Sequence, residues 1–292
     1  MPSLKDLRNR IDSVKSTKKI TQAMKMVAAS KLKKAQAFAE RGRNYSSGLE
    51  GIVKVLVSQS EEQNHPLLGG IEKEKKQALL IVVSSDRGLC GGLNANIVKS
   101  VKKKLALFKS ENKKITLICI GKKGYDQLVG VNQELFDFEV KYLTIGEMNY
   151  KTTEELGHKI LSGFYDSKFD ECIMFYNFFK SVMTQEIRSE TLIPYPKDER
   201  ITKNDEEEIF FEYEPDEEDV LAKILPKNFI VQMYKAILES RASEQGARMT
   251  AMDNATRNAG EMIDSLSLKY NRQRQAIITK ELIEIISGAE AL

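Results

Sequence analysis

A stripe of apolar residues with helical spacing runs along the first part of the chain. Leu4, Leu7, Ile11 and Val14 follow one another at intervals of three and four residues, which places them on one side of an α-helix. Beyond a polar interval the stripe continues through Ile20, Met24, Val27, Leu32, Ala35 and Phe38. Because Ser3 and Asp6 have the spacing of an N-terminal cap, a long helix is predicted to begin there. Three glycines weaken the prediction beyond Arg41: Gly42, Gly48 and Gly51.

A second stripe of the same period occupies the end of the chain. Its central positions are Met252, Ala255, Ala259, Met262 and Leu266, with Ile277, Ile278, Leu282, Ile285 and Ile286 further on. Proline interrupts helices, and the six prolines leave residues 3–65 and 227–292 uninterrupted. Each span can hold one helix of roughly 55 to 60 residues, about 80 to 90 Å long. Helices of this length are typical of coiled coils.

The middle third of the chain has a different pattern. Buried strands are predicted at residues 78–83, 115–120, 135–143 and 172–179, where apolar residues are concentrated. Helices are predicted near residues 94–109 and 153–167, with another after Gly121 and Gly124. The alternation of strand and helix predicts an α/β domain with a mainly parallel sheet.

These elements predict an α/β protein: a long antiparallel coiled coil of N- and C-terminal helices with an inserted Rossmann-like α/β domain. The termini of a domain often lie close together, so helices that enter and leave it are expected to pair antiparallel. The expected divisions are residues 1–65, 66–219 and 220–292. Several small side chains in the two stripes would let the helices approach closely: Ala23, Ala28, Ala29, Ala242, Ala247, Ala251, Ala255 and Ala259.

Charge is distributed unevenly along the chain, although the formal net charge is only +3. Residues 1–45 contain 12 basic and 3 acidic side chains, whereas residues 198–219 contain 12 acidic and 2 basic ones. Such segregation indicates that different parts of the chain face differently charged partners. The alternative is that both segments are ordinary solvated faces.

Composition excludes several classes of protein. No apolar run approaches the roughly 20 residues that cross a bilayer, and the N-terminus has no secretory signal, so direct membrane insertion is not expected. The three cysteines form no C-x-x-C pair, and His65 and His158 are isolated, so neither a metal site nor a redox pair is predicted. No glycine-rich phosphate-binding motif is present, which argues against a nucleotide cofactor. No cofactor is predicted.

Four separated motifs carry a resemblance to a known family. They are Arg8-Asn9-Arg10-Ile11-Asp12-Ser13-Val14 with residues 17–32, Ser84-Ser85-Asp86-Arg87-Gly88-Leu89-Cys90-Gly91-Gly92-Leu93-Asn94, Ser243-Glu244-Gln245-Gly246-Ala247-Arg248-Met249 with residues 251–256, and residues 278–289. In this order the motifs resemble the γ subunits of bacterial-type F-type ATP synthases. They cover both ends and the middle of the chain.

The resemblance implies a function without catalysis. It implies the central rotary stalk, which couples ion flow through the membrane c ring to ATP synthesis or hydrolysis in the α3β3 ring. The implied partners are the α and β subunits, the ε subunit and the c ring, and the implied location is peripheral, on the cytoplasmic face of the bacterial inner membrane. Positions that match the family's coupling and interface residues are Met24, Lys25, Arg248, Gln275, Thr279, Glu281 and Glu284.

Two other functions compete with this interpretation. The α/β domain could belong to a nucleotide- or substrate-using enzyme whose helices only dimerise, and Glu281 and Glu284 would then be read as a carboxylate pair. The basic N-terminal segment could bind nucleic acid through its phosphates, although Phe38 and Tyr45 are the only aromatics nearby. Neither alternative explains the four motifs, so neither a catalytic site nor a nucleic-acid partner is expected.

Overall fold

The computed structural model describes residues 3–59, 65–69, 77–129, 143–195 and 217–290. The elements in chain order are α1 (Leu4–Gln59), α2 (Pro66–Gly69), β1 (Gln77–Val83), α3 (Leu93–Ser110), β2 (Lys114–Ile120), α4 (Lys122–Val129), α5 (Tyr150–Tyr165), β3 (Glu171–Phe179), β4 (Gln185–Ile193) and α6 (Glu217–Glu290). This order confirms the mixed α/β class with a long helix at each end.

The chain forms two compact units. The first contains Met1–Ser30 and Arg248–Leu292, and the second contains Lys31–Ala247. Both long helices therefore contribute residues to both units. The division of the chain at residues 65 and 219 stays a prediction, as does any role of the acidic segment, since residues 198–216 lie outside the described residues.

Helix α1 begins where the sequence predicts. The Ser3 backbone N–H donates to Asp6 Oδ2 at 3.0 Å, and the Asp6 N–H donates to Ser3 Oγ at 3.2 Å. These bonds satisfy donors that the first helical turn leaves unpaired. The hydrogen bond from the Ser3 hydroxyl lowers the pKa of the Asp6 carboxyl.

The three glycines beyond Arg41 suggested that α1 could end there, but the helix does not end at Arg41. It continues to Gln59, and Val53 and Leu56 are buried in the core of the second unit. A Cβ at Gly42 would lie 2.9 Å from Leu238 Cδ1, so a close approach of α6 uses this glycine. Tertiary packing therefore outweighs the low helix propensity of glycine, which costs about 1 kcal/mol per residue.

The last helix extends beyond the proline-free span 227–292. Helix α6 begins at Glu217 and contains Pro226, which removes one backbone hydrogen bond. Leu221, Leu225 and Phe229 are all buried in the core on either side of the proline. Since each buried side chain contributes about 1.5 to 3 kcal/mol, their packing offsets the roughly 3 kcal/mol cost of an internal proline.

The sheet has the strand order β2-β1-β3-β4. Strands β1, β2 and β3 are parallel, with Leu80 opposite both Leu117 and Ile173. Ala78, Leu80 and Val82 pack on the side covered by α3 and α4, while Leu79, Ile81 and Val83 pack on the opposite side. Burial on both faces explains why β1 is a continuous apolar run.

Strand β4 was not predicted from the sequence. It pairs antiparallel to β3 at the edge of the sheet, and most of its side chains are at least partly exposed. Its polar, charged sequence lacks the apolar run that marks the inner strands. Most of the strand predicted at residues 135–143 lies outside the described residues, but Leu143 forms a parallel bridge with Ile120.

An ion pair between partly exposed Arg43 and buried Glu239 joins α1, α6 and β3 in the second unit. Arg43 Nη2 donates to Glu239 Oε2 at 2.8 Å and to the Phe179 carbonyl at 2.6 Å, while the Phe179 N–H donates to the same Glu239 oxygen at 3.0 Å. The Glu239 side chain is fully buried. The pKa of Arg43 is raised, chiefly by its hydrogen bond with Glu239.

Serines of α6 bind the part of β3 that extends beyond β1. Ser240 Oγ accepts from the Asn177 N–H at 3.2 Å, and Ser243 Oγ donates to the Asn177 carbonyl at 2.9 Å. A Cβ at Gly246 would approach Phe179 Cε2 to 3.1 Å. Two residues of the third sequence motif, Ser243 and Gly246, therefore hold α6 against the sheet.

In the first unit the two helical segments run antiparallel. Leu7 and Ile11 of α1 share an apolar cluster with Leu266 of α6. Further along α1, the hydroxyls of Thr21 and Thr256 lie 2.8 Å apart. Residue numbers rise along one segment as they fall along the other, which confirms the predicted antiparallel pairing.

Candidate coupling surface

Lys25 is held by an ion pair across the two helical segments of the first unit. Its Nζ donates to Asp253 Oδ1 at 2.5 Å, and Arg257 Nη2 donates to Asp253 Oδ2 at 2.6 Å. Hydrogen bonds from Lys25, and then from Arg257, lower the pKa of the Asp253 carboxyl. The ammonium of Lys25 is therefore already engaged within the chain while its side chain stays partly exposed.

Met24 lies next to this ion pair. It is half-buried, whereas Met26 is 61% exposed. Thr21, three residues earlier, and Ala28, four residues later, are both buried. This spacing places Met24 at the edge of the helix–helix contact, between two buried positions of α1.

The small residues predicted to line the helix contact are only partly buried. Ala28, Ala242 and Ala259 are buried, and each therefore contributes to close packing. Ala23 is exposed and belongs to the outer surface of α1. Gly260 also lies at the contact, because a Cβ there would lie 3.3 Å from Lys18 Nζ.

The remaining predicted site residues are distributed along α6. Arg248 is half-buried, and Gln275, Thr279, Glu281 and Glu284 are exposed. Glu284 pairs with Lys280 at 3.4 Å on the surface of the helix. The structure thus brings Lys25 together with Asp253, leaves Met24 at the preceding position of α1, and distributes the other five along one helix.

The last turns of α6 carry an exposed apolar surface. Its members are Ile278 (47% exposed), Leu282 (53%), Ile283 (58%), Ile285 (67%) and Ile286 (57%). All described side chains from Ile278 to the end of the helix are exposed. Exposed apolar surface of this extent marks a site of contact with another molecule.

The glycine-bearing loop after β1 is held by bonds within the chain. Asp86 accepts hydrogen bonds from the N–H groups of Lys122 (3.3 Å), Ile145 (3.2 Å) and Gly146 (3.1 Å). Arg241 donates to the carbonyl of Gly146 at 2.9 Å and also to that of Ile145. Gly91 has a positive φ of 60°. The loop is therefore bonded to the start of α4 and to residues 145–146, which Arg241 of α6 also binds. Asp86 supplies the negative charge at the start of α4.

The second unit contains a cavity of about 360 Å³, which is large enough to be a candidate enzyme site. Two of its charged side chains are bonded to neighbours. Glu190 accepts from the Tyr176 hydroxyl at 2.5 Å, and Lys235 donates to Gln232 at 3.1 Å. Burial, and then the charge of Glu190, raise the pKa of Tyr176.

The described residues contain neither a cluster of metal-binding side chains nor a helix that could span a membrane. In the described ranges, no group of three His, Cys, Asp or Glu side chains is placed to hold a metal ion. Over the same part of the chain, none of the helices combines the length and the apolar character needed to span a bilayer.

The side chains that bind the predicted residues within the chain could not be identified from the sequence. Asp253 was quoted only as part of a motif, and Arg43, Glu239 and Arg241 were not singled out. The spacing of Asp253 and Arg257, four residues apart on a helix, was an available signal for a charged cluster. The fold and this surface define a mixed α/β protein whose paired helices present contact faces.

Comparison with known proteins identifies the family. The family described as ATP synthase matches residues 3–292. The ATP synthase gamma chains of Pelagibacter ubique and Sinorhizobium medicae are 49% and 45% identical to this chain, with full coverage of both proteins in each case.

Solved structures agree with this match. A chain from the central stalk and c ring of the Tetrahymena thermophila mitochondrial ATP synthase is 31% identical, with a TM-score of 0.63, and covers 81% of this chain and 99% of its own. A chain of the Euglena gracilis mitochondrial ATP synthase, at 18% identity and a TM-score of 0.68, covers 99% and 94% and shows the shared fold.

The chain belongs to the ATP synthase γ chain family. It is the central-stalk subunit of an F-type ATP synthase. As a stalk subunit it is a peripheral component of a membrane-associated enzyme.

Proposed function

We propose that this chain turns inside an α3β3 ring and couples ion flow through a membrane c ring to ATP synthesis or hydrolysis. The exposed apolar end of α6, residues 278–286, carries this proposal. Such a surface is unfavourable in water and suits a surrounding sleeve. Apolar contacts are non-directional, so a sleeve of this kind holds a shaft without fixing one angle.

The coupling itself follows from asymmetry. A shaft made of two different helical segments presents different side chains to each of three chemically identical β subunits. Contacts that differ in free energy favour different conformations of the three nucleotide sites, and rotation moves these preferences around the ring. Met24, Lys25, Arg248, Gln275, Thr279, Glu281 and Glu284 are the residues proposed to make such contacts. The Lys25–Asp253 pair at 2.5 Å supports this by stiffening the two-helix segment where Met24 lies.

The remaining partners and the location are part of the same proposal. The α/β portion of the chain is proposed to rest on the c ring and to bind the ε subunit. The complex would lie on the cytoplasmic face of the bacterial inner membrane. The similarity to a chain from a central stalk and c ring supports this arrangement.

Gentle purification of the tagged chain from its native membrane tests the proposed function. The α and β subunits are expected to co-purify in a complex that hydrolyses ATP. Recovery of the chain from those membranes without either subunit would contradict the proposal. A purified chain that hydrolyses ATP alone would favour the enzyme alternative.

Met24→Lys is expected to uncouple hydrolysis from ion pumping. The new ammonium would lie at the edge of the helix–helix contact and reach acidic groups of the ring, and a tight ion pair there should hinder rotation. Complexes should assemble and hydrolyse ATP, but pump several-fold fewer ions per ATP, as measured in reconstituted vesicles. Met26→Lys is the matched control because it adds the same charge at a side chain that is 61% exposed. Equal pumping by both variants would contradict this role for Met24.

Truncation of α6 is expected to separate assembly from coupling. Removing residues 287–292 spares Leu282, Ile285 and Ile286, so assembly and ATP-driven rotation should remain largely intact. Removing every residue after Gln275 deletes the apolar surface and should weaken assembly. Arg248→Ala should reduce coupling more than the short truncation, since arginine forms directed, charge-assisted contacts. Loss of hydrolysis and pumping in the short truncation, with wild-type behaviour of Arg248→Ala, would reverse this assignment.

A further inference from the structure

A dense group of lysines lies in the second unit. Residues 99–123 contain nine lysines and a single acidic residue, Glu111. Lys99, Lys102 and Lys103 are exposed on α3, and Lys122 is exposed at the start of α4. Both helices cover the same side of the sheet, because Leu128 of α4 packs into the core that α3 covers. We refer to Lys99, Lys102, Lys103 and Lys122 as the lysine face.

Two nearby acidic side chains are paired with lysines outside this face, and Asp86 accepts from the backbone N–H of Lys122. Glu111 accepts from Lys113 at 2.9 Å, and Asp126 lies 3.7 Å from Lys123. Lys99, Lys102 and Lys103 form no ion pair with the part of the chain that the structure describes. Within the described ranges, their positive charges are therefore not neutralised by an acidic side chain.

An exposed leucine lies among these lysines. Leu107 is 58% exposed and follows Lys99 and Lys103 at four-residue intervals, which places all three along one row of α3. The aromatic residue of α3, Phe108, is buried instead. Lys104 and Lys113 lie over its ring, at 4.6 and 4.5 Å from the centroid. Binding of single-stranded nucleic acid uses exposed aromatic rings for stacking, whereas lysines around an apolar side chain are typical of helices that bind a membrane surface.

We infer that the lysine face binds the anionic headgroups of a lipid bilayer, with Leu107 contacting the interfacial region. Lysine clusters on one face of a helix attract anionic lipids at short range. The inference rests on the proposed location of the chain beside a membrane ring. It adds a second contact to that location, between the α/β portion of the chain and the lipid around the ring.

Vesicle flotation of the purified full chain tests this contact directly. The chain should bind vesicles that contain phosphatidylglycerol and not vesicles of phosphatidylcholine alone, and binding should weaken as salt is added. A K99Q/K102Q/K103Q variant should lose on the order of 100-fold in partition coefficient, since each lysine near an anionic surface contributes about fivefold. A K31Q/K33Q/K34Q variant removes the same charge from exposed positions of α1 and should bind almost as well as the wild-type chain.

Two further measurements separate this contact from other kinds of binding. Leu107→Gln should lower the partition into anionic vesicles at high salt, where electrostatic attraction is screened, and an unchanged partition would overturn the apolar contact. Equal losses in the two lysine triple variants would show attraction to net charge alone and would overturn the lysine face. Tight, salt-sensitive binding of oligonucleotides without vesicle binding would favour nucleic acid instead. None of these outcomes alters co-purification with α and β subunits, which tests the proposed function separately.

Discussion

An Arg43→Met variant is expected to lose about 3 to 5 kcal/mol of unfolding free energy, the range for breaking a buried ion pair. The loss of stability arises from Glu239, the charged partner that remains in the variant. Glu239 is fully buried, so without Arg43 its carboxylate keeps, among the described residues, the single bond from the Phe179 N–H. The Phe179 carbonyl also loses its donor, and the guanidinium no longer lies over the Phe178 ring, 4.5 Å from its centroid. Urea denaturation of the full chain, followed by circular dichroism, measures the loss.

Glu239→Gln serves as the matched comparison. The amide keeps the shape of the side chain, and Arg43, which is 32% exposed, retains contact with water. The Glu239→Gln variant should therefore lose less unfolding free energy than Arg43→Met, about 1 to 2 kcal/mol. In the double variant the losses should not add, because no charge is then left buried. A larger loss for Glu239→Gln than for Arg43→Met would show that the arginine, not the glutamate, is the group that burial penalises.

Gly121→Ala is expected to be similarly damaging, at about 3 to 5 kcal/mol, because strain and overpacking combine. Gly121 has a φ of +105°, and a Cβ there would lie 2.1 Å from the Ser84 carbonyl oxygen. The obstacle is backbone, so no side-chain rotation relieves it. The change would also disturb the Ser84 hydroxyl, which accepts from the Gly124 N–H at 2.8 Å. The same urea denaturation measures this variant.

Gly88→Ala is the control for this prediction, since it changes another glycine near the same group of loops. A Cβ at Gly88 meets nothing within 4 Å, and its φ is not in the left-handed region. Its stability should match the wild-type chain or exceed it by about 0.4 to 1 kcal/mol, because alanine restricts the unfolded chain. If the two alanine variants had equal unfolding free energies, the backbone at Ser84 and Gly121 would be able to move apart without loss of stability, and the prediction would be wrong.

Local patterns predicted most of the elements. Strand β1 was found because it is buried on both faces and therefore apolar throughout, and the start of α1 was found because Ser3 and Asp6 are three residues apart. Strand β4 was missed because an edge strand needs no apolar run. The sequence did not show that α6 continues through Pro226, because the burial of Leu221 and Phe229 outweighs the local effect of the proline.

The candidate site was predicted less completely than the fold. Met24 and Lys25 were named from the resemblance, but their neighbour Asp253 was not. Lys25 and Asp253 are 228 residues apart, and Arg43 and Glu239 are separated by 196. No periodicity within either helix reveals which residue of the other one it faces.

The sequence alone determined the class of protein. The two long helices and the α/β layer were predicted from helical periodicity, strand patterns and the positions of the prolines, which are local signals. The family was recognised from the identities of the residues in four separated motifs. Only the tertiary structure decided the register of α1 against α6 and the roles of Arg43, Asp86 and Arg241. Those roles depend on which distant groups share a low-dielectric interior, where a charge must find its partner.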